Sequence, residues 1–179
     1  MYFIALVCPD KINEEVMQFK QWMKAHFGCT VALKSPAHIT LVPPFWLSAV
    51  QENELKDALH CFHSDMRTVS VELNGFSHFS KRVLFVEVKE NAMLEIIKKE
   101  TTAYFAGRFG SITKTKSRPF YPHITIASRD LKPGDFDRAW EHFKQKDYNA
   151  SFETGSIDLL KLNDGKWNII GKQEWCRNK

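Results

Sequence analysis

Hydrophobic positions at the start of the chain predict a strand followed by a helix. Tyr2–Val7 is a short apolar run that ends at the turn-forming residues 8–10, as a strand bounded by turn residues does. Apolar residues then recur every three or four positions up to Gly28, a spacing typical of one face of an amphipathic helix. The apolar positions of this predicted helix are Ile12, Val16, Phe19, Met23 and Phe27.

The rest of the first half continues the alternation of strands and helices. Residues 38–42 form a second apolar run and predict a second strand. Ser48 and Gln51 have the spacing of a capping box, in which each side chain bonds the other residue's backbone at a helix start. Residues 69–73 alternate apolar and polar positions, which predicts a third strand with one buried face.

The second half repeats this order of elements. A strand at 83–88 precedes a helix that ends at Gly107 or Gly110, and a strand at 123–127 precedes a helix that starts at Pro133. A long apolar strand is predicted over 151–162. It turns at 163–165, where Asn-Asp-Gly supplies the positive φ angles of a tight hairpin, into a last strand over 167–175.

Two similar halves predict an α+β fold with two lobes related by an approximate two-fold axis. The halves span approximately 1–80 and 81–179, and no linker rich in Gly, Ser or Pro separates them. We therefore expect one domain over 1–179 with a shared core. The final hairpin and the short join between the third and fourth strands favour mainly antiparallel sheets, with the helices packed outside them.

Composition excludes several classes of protein. An apolar fraction of 44% supports a packed core, and a net charge of +4 tolerates an anionic ligand without requiring one. The four cysteines form no Cys-x-x-Cys pair, so we expect reduced thiols in a cytoplasmic protein. No signal peptide is recognised, and no apolar segment approaches the roughly 20 residues that span a membrane.

The strongest chemical signal is a repeated triplet. Residues 38–40 and 123–125 both read His-Ile-Thr, and both occupy the second predicted strand of their half. Only about 0.35 His-x-Thr triplets are expected by chance at this composition. Residues two apart on a strand point to the same side, so each histidine shares a face with its threonine. Two-fold packing of the halves brings both faces to one cleft.

His38, Thr40, His123 and Thr125 together suit phosphoester chemistry. A neutral imidazole can take a proton from the attacking oxygen while a protonated one gives a proton to the leaving oxygen. Both forms are accessible at neutral pH, since an unperturbed imidazole titrates near a pH of about 6.5. The threonine hydroxyls can donate hydrogen bonds to phosphate oxygens as negative charge builds up. These steps require no metal ion or other cofactor.

The two triplets and the sequence Arg-Pro-Phe-Tyr-Pro-His-Ile-Thr-Ile at 118–126 resemble the 2H phosphoesterase superfamily. That group includes the 2'-5' RNA ligase-like proteins of bacteria and archaea and the cyclic nucleotide phosphodiesterases. The resemblance implies a bilobal fold with a central cleft. It also implies that His38 and His123 are catalytic and that Thr40 and Thr125 bind phosphate.

Two positions depart from the pattern of the superfamily. Residues 41–45 read Leu-Val-Pro-Pro-Phe where ligase-like members often have Phe-Leu-Gly nearby. Many members carry arginine five residues after the second histidine, where this chain has Ser128, with Arg129 one position later. Because a shift of one residue reverses the face of a strand, Arg129 is predicted to point away from the cleft.

Several further residues are candidates for substrate contact. Lys114, Lys116 and Arg118 precede the second triplet and are suited either to guiding a phosphate backbone or to forming a solvated basic loop. The aromatic candidates flank the motifs and are suited either to stacking on a base or to packing beneath the cleft. They are Phe45, Phe120 and Tyr121.

The sequence thus predicts a metal-independent phosphoesterase acting on a 2',3'-cyclic phosphate or a related RNA or nucleotide phosphodiester. Its substrate partner is an RNA end or a cyclic nucleotide, and a monomer is expected. The alternatives are 2'-5' RNA ligase activity and a non-catalytic RNA-binding or nucleotide-binding module. His60 and His63 have the spacing of a helical zinc pair, but no second pair completes four ligands, so no metal site is predicted.

Overall fold

The computed structural model describes residues 1–113 and 119–175. The strands are β1 Tyr2–Val7, β2 His38–Phe45, β3 Val69–Phe79, β4 Val83–Val88, β5 His123–Ala127, β6 Asn149–Thr154, β7 Ser156–Asn163 and β8 Lys166–Glu174. The helices are α1 Asp10–Phe27, α2 Glu52–His60, α3 Ala92–Phe109 and α4 Pro133–Lys144, with 3-10 turns at Ala32–Lys34, Ala49–Gln51 and Gly110–Thr113.

The strands form two four-stranded sheets. One has the order β2-β1-β7-β8 and the other β5-β4-β3-β6, and neighbouring strands run antiparallel in both. The predicted α+β fold with two mainly antiparallel sheets is confirmed. The sequence halves nevertheless exchange strands, because β3 of the first half joins the second sheet while β7 and β8 join the first.

The single strand predicted over 151–162 is wrong. The chain changes sheets at Gly155, so that β6 lies at the edge of the second sheet and β7 pairs with β1 in the first. A Cβ atom at Gly155 would lie 3.3 Å from the backbone oxygen of Arg67. The absence of a side chain therefore permits the close passage of two backbones at this crossover.

Local signals correctly mark the ends of several elements. Helix α1 ends at Gly28, whose φ of 68° is the left-handed conformation that glycine adopts without strain. The capping box of Ser48 and Gln51 is present and begins the 3-10 turn that leads into α2. Asp164 and Gly165 have φ values of 48° and 74° and close the β7–β8 hairpin as predicted.

The helices cover the sheets in a crossed arrangement. Helix α1, which follows β1, contacts β5 of the other sheet, and α3, which follows β4, contacts β2. The apolar stripe of α1 is buried in this interface, including Val16 and Met23. Each half of the chain therefore supports the edge strand of the opposite sheet, so the two halves share one hydrophobic core.

No helix among the described residues is long and apolar enough to cross a membrane. Cys8, Cys29 and Cys61 are free thiols, the first two of them buried. Cys176 lies outside the described residues.

Candidate active site

Both His-Ile-Thr triplets open edge strands that contact each other. Residues 38–40 begin β2, the edge of the first sheet, and residues 123–125 begin β5, the edge of the second. Strands β2 and β5 contact each other where the two sheets meet. The topology thus brings together two motifs that are far apart in the sequence.

The period of two along each strand decides which side chains remain accessible. His38 and Thr40 are half-buried while the intervening Ile39 is fully buried, and the same holds for His123 and Thr125. The isoleucines belong to the main hydrophobic core. Each histidine and its threonine therefore face away from that core, as the alternation predicted.

Each histidine ring packs against a phenylalanine. Phe3 of β1 lies 4.8 Å from His38 between ring centroids, and Phe85 of β4 lies 4.9 Å from His123. Both phenylalanines are buried and come from the strand that pairs with the motif strand. A rigid aromatic support beneath each imidazole restricts its rotation and fixes the direction of its Nε2 atom.

A backbone hydrogen bond fixes the tautomer of each histidine. The Nδ1 atom of His38 lies 2.7 Å from the carbonyl oxygen of Pro36, and that of His123 lies 2.7 Å from the carbonyl oxygen of Tyr121. A carbonyl oxygen can only accept, so Nδ1 carries the hydrogen and donates it. In the neutral ring, Nε2 is then free to accept a proton from a substrate or water.

The two imidazoles are electrostatically unequal. Burial lowers the pKa of His38 to about 4, partly opposed by its hydrogen bond to Pro36, and the charges of Lys20 and His123 lower it further. Burial also lowers the pKa of His123, and its bond to Tyr121 opposes this effect. Since the charge of one histidine acts on the pKa of the other, the two groups share one electrostatic environment.

A buried lysine beside His38 was missed by the sequence analysis. Lys20 of α1 is 2% exposed, and its Nζ donates a 3.0 Å hydrogen bond to the carbonyl oxygen of Ser35. Burial lowers its pKa to about 8. The signal was available, because position 20 lies four residues after Val16 and three before Met23, on the apolar stripe of the helix.

The segment before His38 is held at three points. Besides the bond from Lys20 to Ser35, the backbone N–H of Ala37 donates to Asn13 Oδ1 at 2.7 Å. The carbonyl oxygen of Ala37 accepts from the backbone N–H of Cys8 at 2.9 Å. These bonds fix the backbone on either side of Pro36, whose carbonyl orients the imidazole.

Glu87 supports the second histidine and was also missed. It lies directly opposite His123 in the β4–β5 pairing. The hydroxyl of Tyr121 donates a 2.6 Å hydrogen bond to Glu87 Oε1, which raises the pKa of Tyr121. Glu87 therefore holds the residue whose carbonyl orients His123. A lone acidic residue within the apolar β4 run was the signal in the sequence.

The other residues predicted to contact the substrate differ in how exposed they are. Phe45 is wrong as a stacking residue, because it is 6% exposed and packs in the core, 6.2 Å from Tyr2 between ring centroids. Phe120 is half-buried and packs against the core, which is the packing alternative. Tyr121 is 43% exposed and remains available. Arg118 lies outside the described residues, as do Lys114 and Lys116.

Two cavities lie near the motif strands, and neither has a motif residue in its lining. The larger, about 1300 Å³, includes Val7, which pairs with His38, and the buried Asp158 of β7. The smaller, about 750 Å³, is lined by both sheets and includes Ser128 and Arg129. Arg129 lines this smaller cavity, whose lining includes none of the four motif residues, so its orientation away from the cleft stays a prediction. Strand β5 ends at Ala127, so the alternation of faces no longer applies at that position.

In the described part of the chain, His60 and His63 belong to no group of three possible metal ligands. Within residues 1–113 and 119–175, no three His, Cys, Asp or Glu side chains are grouped as metal ligands would be. His63 instead contacts the carbonyl oxygen of Cys61 through Nδ1 at 3.3 Å.

Known proteins resemble the chain over most of its length. It is 28% identical over 166 residues, or 89% of each chain, to an RNA 2',3'-cyclic phosphodiesterase of Methanocaldococcus jannaschii. A Thermus thermophilus protein of known structure superposes with a TM-score of 0.70 at 15% identity, covering 97% of both chains. E. coli LigT complexed with 3'-AMP superposes with a TM-score of 0.66 at 20% identity, covering 96% of this chain and 95% of LigT.

These structural similarities show the fold alone, whereas a family model identifies the chain. The model of the 2'-5' RNA ligase superfamily matches residues 8–166, a segment that includes both His-Ile-Thr triplets. The resemblance to 2H phosphoesterases that rested on those triplets is thereby confirmed. The chain belongs to the 2'-5' RNA ligase superfamily.

Proposed function

We propose that this protein is a metal-independent phosphodiesterase that opens a 2',3'-cyclic phosphate at the end of an RNA or on a nucleotide. The observation that carries the proposal is the matched pair of histidines, each on an aromatic support and each with Nδ1 bonded to a carbonyl. The name of the Methanocaldococcus jannaschii relative supports the choice of a cyclic phosphate.

The proposed step is in-line attack of water on the cyclic phosphorus. Nε2 of His38 accepts a proton from the water as its oxygen bonds to phosphorus, and the bond from phosphorus to one ribose oxygen breaks. Nε2 of a protonated His123 donates a proton to that leaving oxygen, which becomes a hydroxyl. Thr40 and Thr125 donate hydrogen bonds to the non-bridging oxygens, where charge increases in the transition state.

The assignment of base and acid rests on the inequality of the two pKa values. His38, with a pKa of about 4, is neutral near pH 7 and can accept a proton. The pKa of His123 is lowered without the added effects of Lys20 and a second histidine. A bound phosphate anion raises the pKa of both rings. We assign the acid role to His123 because Lys20 and a second histidine add no further lowering of its pKa.

Hydrolysis of 2',3'-cyclic AMP in EDTA tests the proposal. Activity should survive chelation, and His38→Ala and His123→Ala should each lower kcat by about 10²-fold or more, as removal of a proton-transfer group does. His60→Ala, which removes an exposed histidine at the end of α2, is the matched control and should retain the full rate. Loss of activity in EDTA with recovery on adding zinc or magnesium would refute metal independence.

The same geometry can join two RNA ends if an RNA 5'-hydroxyl replaces water as the nucleophile. Its oxygen gives up its proton and bonds to the cyclic phosphorus, the bond from phosphorus to the ribose 3'-oxygen breaks, and that oxygen takes a proton, which leaves a 2'-5' linkage. Membership of the 2'-5' RNA ligase superfamily favours this second activity. An RNA with a 2',3'-cyclic phosphate, mixed with an RNA bearing a free 5'-hydroxyl, tests it by the appearance of a longer product. Nucleotide binding without turnover in either assay would instead support the binding module.

A further inference from the structure

The two cavities near the motif strands are lined by side chains of opposite charge. The larger, here called the acidic cavity, is lined by five carboxylates and only two cationic side chains, Arg67 and Lys172. Its carboxylates are Asp10, Asp65, Glu153, Asp158 and Glu174. The smaller, here called the basic cavity, is lined by Arg82 and Arg129 and by no acidic residue among its described lining. A polyanion is therefore attracted to one cavity and repelled by the other.

Residues that line the basic cavity contact the aromatic residues packed against both histidines. Trp167 of β8 lines it and packs edge-on against Phe3 at 4.6 Å, and Phe3 in turn supports His38. On the other sheet, the backbone N–H of Arg82 donates to the carbonyl oxygen of Phe79, whose ring lies 4.9 Å from His123. Two successive ring contacts separate the cavity wall at Trp167 from His38, which places the basic cavity near the histidines.

The two arginines are available to a ligand. Both are exposed, and neither forms an ion pair in the described part of the chain. The neighbouring Lys81 differs, since its Nζ bonds Asp137 at 2.8 Å. The carboxylate of Asp130, next to Arg129, accepts instead from the backbone N–H groups of Thr30 and Val31.

We propose that an RNA strand leaves the catalytic histidines through the basic cavity, where Arg82 and Arg129 bind backbone phosphates upstream of the cyclic end. The guanidinium groups provide bidentate contacts to phosphate, and the half-buried indole of Trp167 offers a surface on which a base can stack. This inference rests on the proposed function. Because only an oligonucleotide has upstream phosphates for the arginines to bind, an oligonucleotide with a terminal cyclic phosphate should be a better substrate than a cyclic mononucleotide.

The test compares kcat/KM for a five-nucleotide RNA ending in a 2',3'-cyclic phosphate with kcat/KM for 2',3'-cyclic AMP. Arg82→Ala and Arg129→Ala should each reduce the ratio of the two values by roughly tenfold, the loss expected for a charged hydrogen bond to phosphate. The magnitude of the salt dependence of log kcat/KM on the oligonucleotide should fall by about 0.7 for each arginine removed. Lys81→Ala removes an adjacent, ion-paired cation and should leave the ratio unchanged.

Failure of this inference is distinguishable from failure of the proposed function. A wild-type protein that hydrolyses neither substrate would refute the phosphodiesterase proposal. A wild-type protein that hydrolyses both, with a ratio and salt dependence that neither arginine variant alters, would overturn the path through the basic cavity. Equal losses for Lys81→Ala and the arginine variants would also overturn it, because they would indicate a diffuse attraction.

Discussion

Mild acid is expected to destabilise this protein through His38. In the folded state burial lowers the pKa of this imidazole to about 4, whereas the unfolded chain restores it to about 6.5. Between these two values the unfolded state binds a proton that the folded state does not. The free energy of unfolding therefore falls as the pH is lowered through this window, and the contribution is fully present above it.

The size of this decrease in the free energy of unfolding follows from the difference between the folded-state and unfolded-state pKa values of His38. Each unit corresponds to about 1.4 kcal/mol, so the full difference corresponds to about 3 kcal/mol. The ring of His38 is only half-buried, and water at its exposed edge reduces the cost of charging it. We therefore expect His38 to account for about 2 kcal/mol of acid destabilisation.

Urea denaturation at pH 7.5 and pH 4.5, at constant ionic strength, measures this contribution. His38→Asn keeps a side-chain N–H that can donate to the carbonyl oxygen of Pro36 but removes the titrating group. Between pH 7.5 and pH 4.5 the free energy of unfolding of this variant should fall by about 2 kcal/mol less than that of the wild type. For His60→Asn, at an exposed position, the free energy of unfolding should fall by as much as it does for the wild type. Parallel pH dependences for the wild type and His38→Asn would refute the reasoning.

Two further predictions concern His123, the proposed proton donor, and the buried Lys20. A phosphodiester with a nitrophenol leaving group needs no proton on its leaving oxygen. On that substrate His123→Ala should therefore recover most of its lost rate, whereas His38→Ala should not. Equal recovery by both variants would contradict the assignment of His123 as acid and His38 as base. Burial lowers the pKa of Lys20 to about 8, so wild-type stability should rise by about 3 kcal/mol between pH 8 and pH 10.5 relative to Lys20→Met. Urea denaturation across that range measures the difference, and identical slopes for the two proteins would contradict it.

Local patterns in the sequence are enough to identify the motif residues and their shared face. The alternation of a strand depends only on neighbouring residues, so the half-buried His38 and Thr40 on either side of a buried Ile39 follow directly from the triplet. The end of α1 at Gly28 and the hairpin at 163–165 are local for the same reason, since a few backbone angles decide them.

The exchange of strands between the sheets could not be predicted from such patterns. An apolar run over 151–162 has the same hydrophobic pattern whether it forms one strand or two, and the turn at Gly155 depends on the backbone of Arg67, far away in the sequence. The burial of Phe45 is likewise decided by its partner Tyr2 on the neighbouring strand. Pairing between distant strands is a property of the whole chain and leaves little local trace.

The candidates for the chemistry can be predicted from the sequence alone, whereas the differences between them arise only when the chain folds. Two identical triplets predict two equivalent histidines. Folding buries both rings, which lowers both pKa values, but only His38 is lowered further by the charges of Lys20 and of the other histidine. It also places carboxylates around one cavity and arginines around the other. Burial and Coulombic interactions depend on distances in space, which hydrophobic periodicity along the chain does not specify.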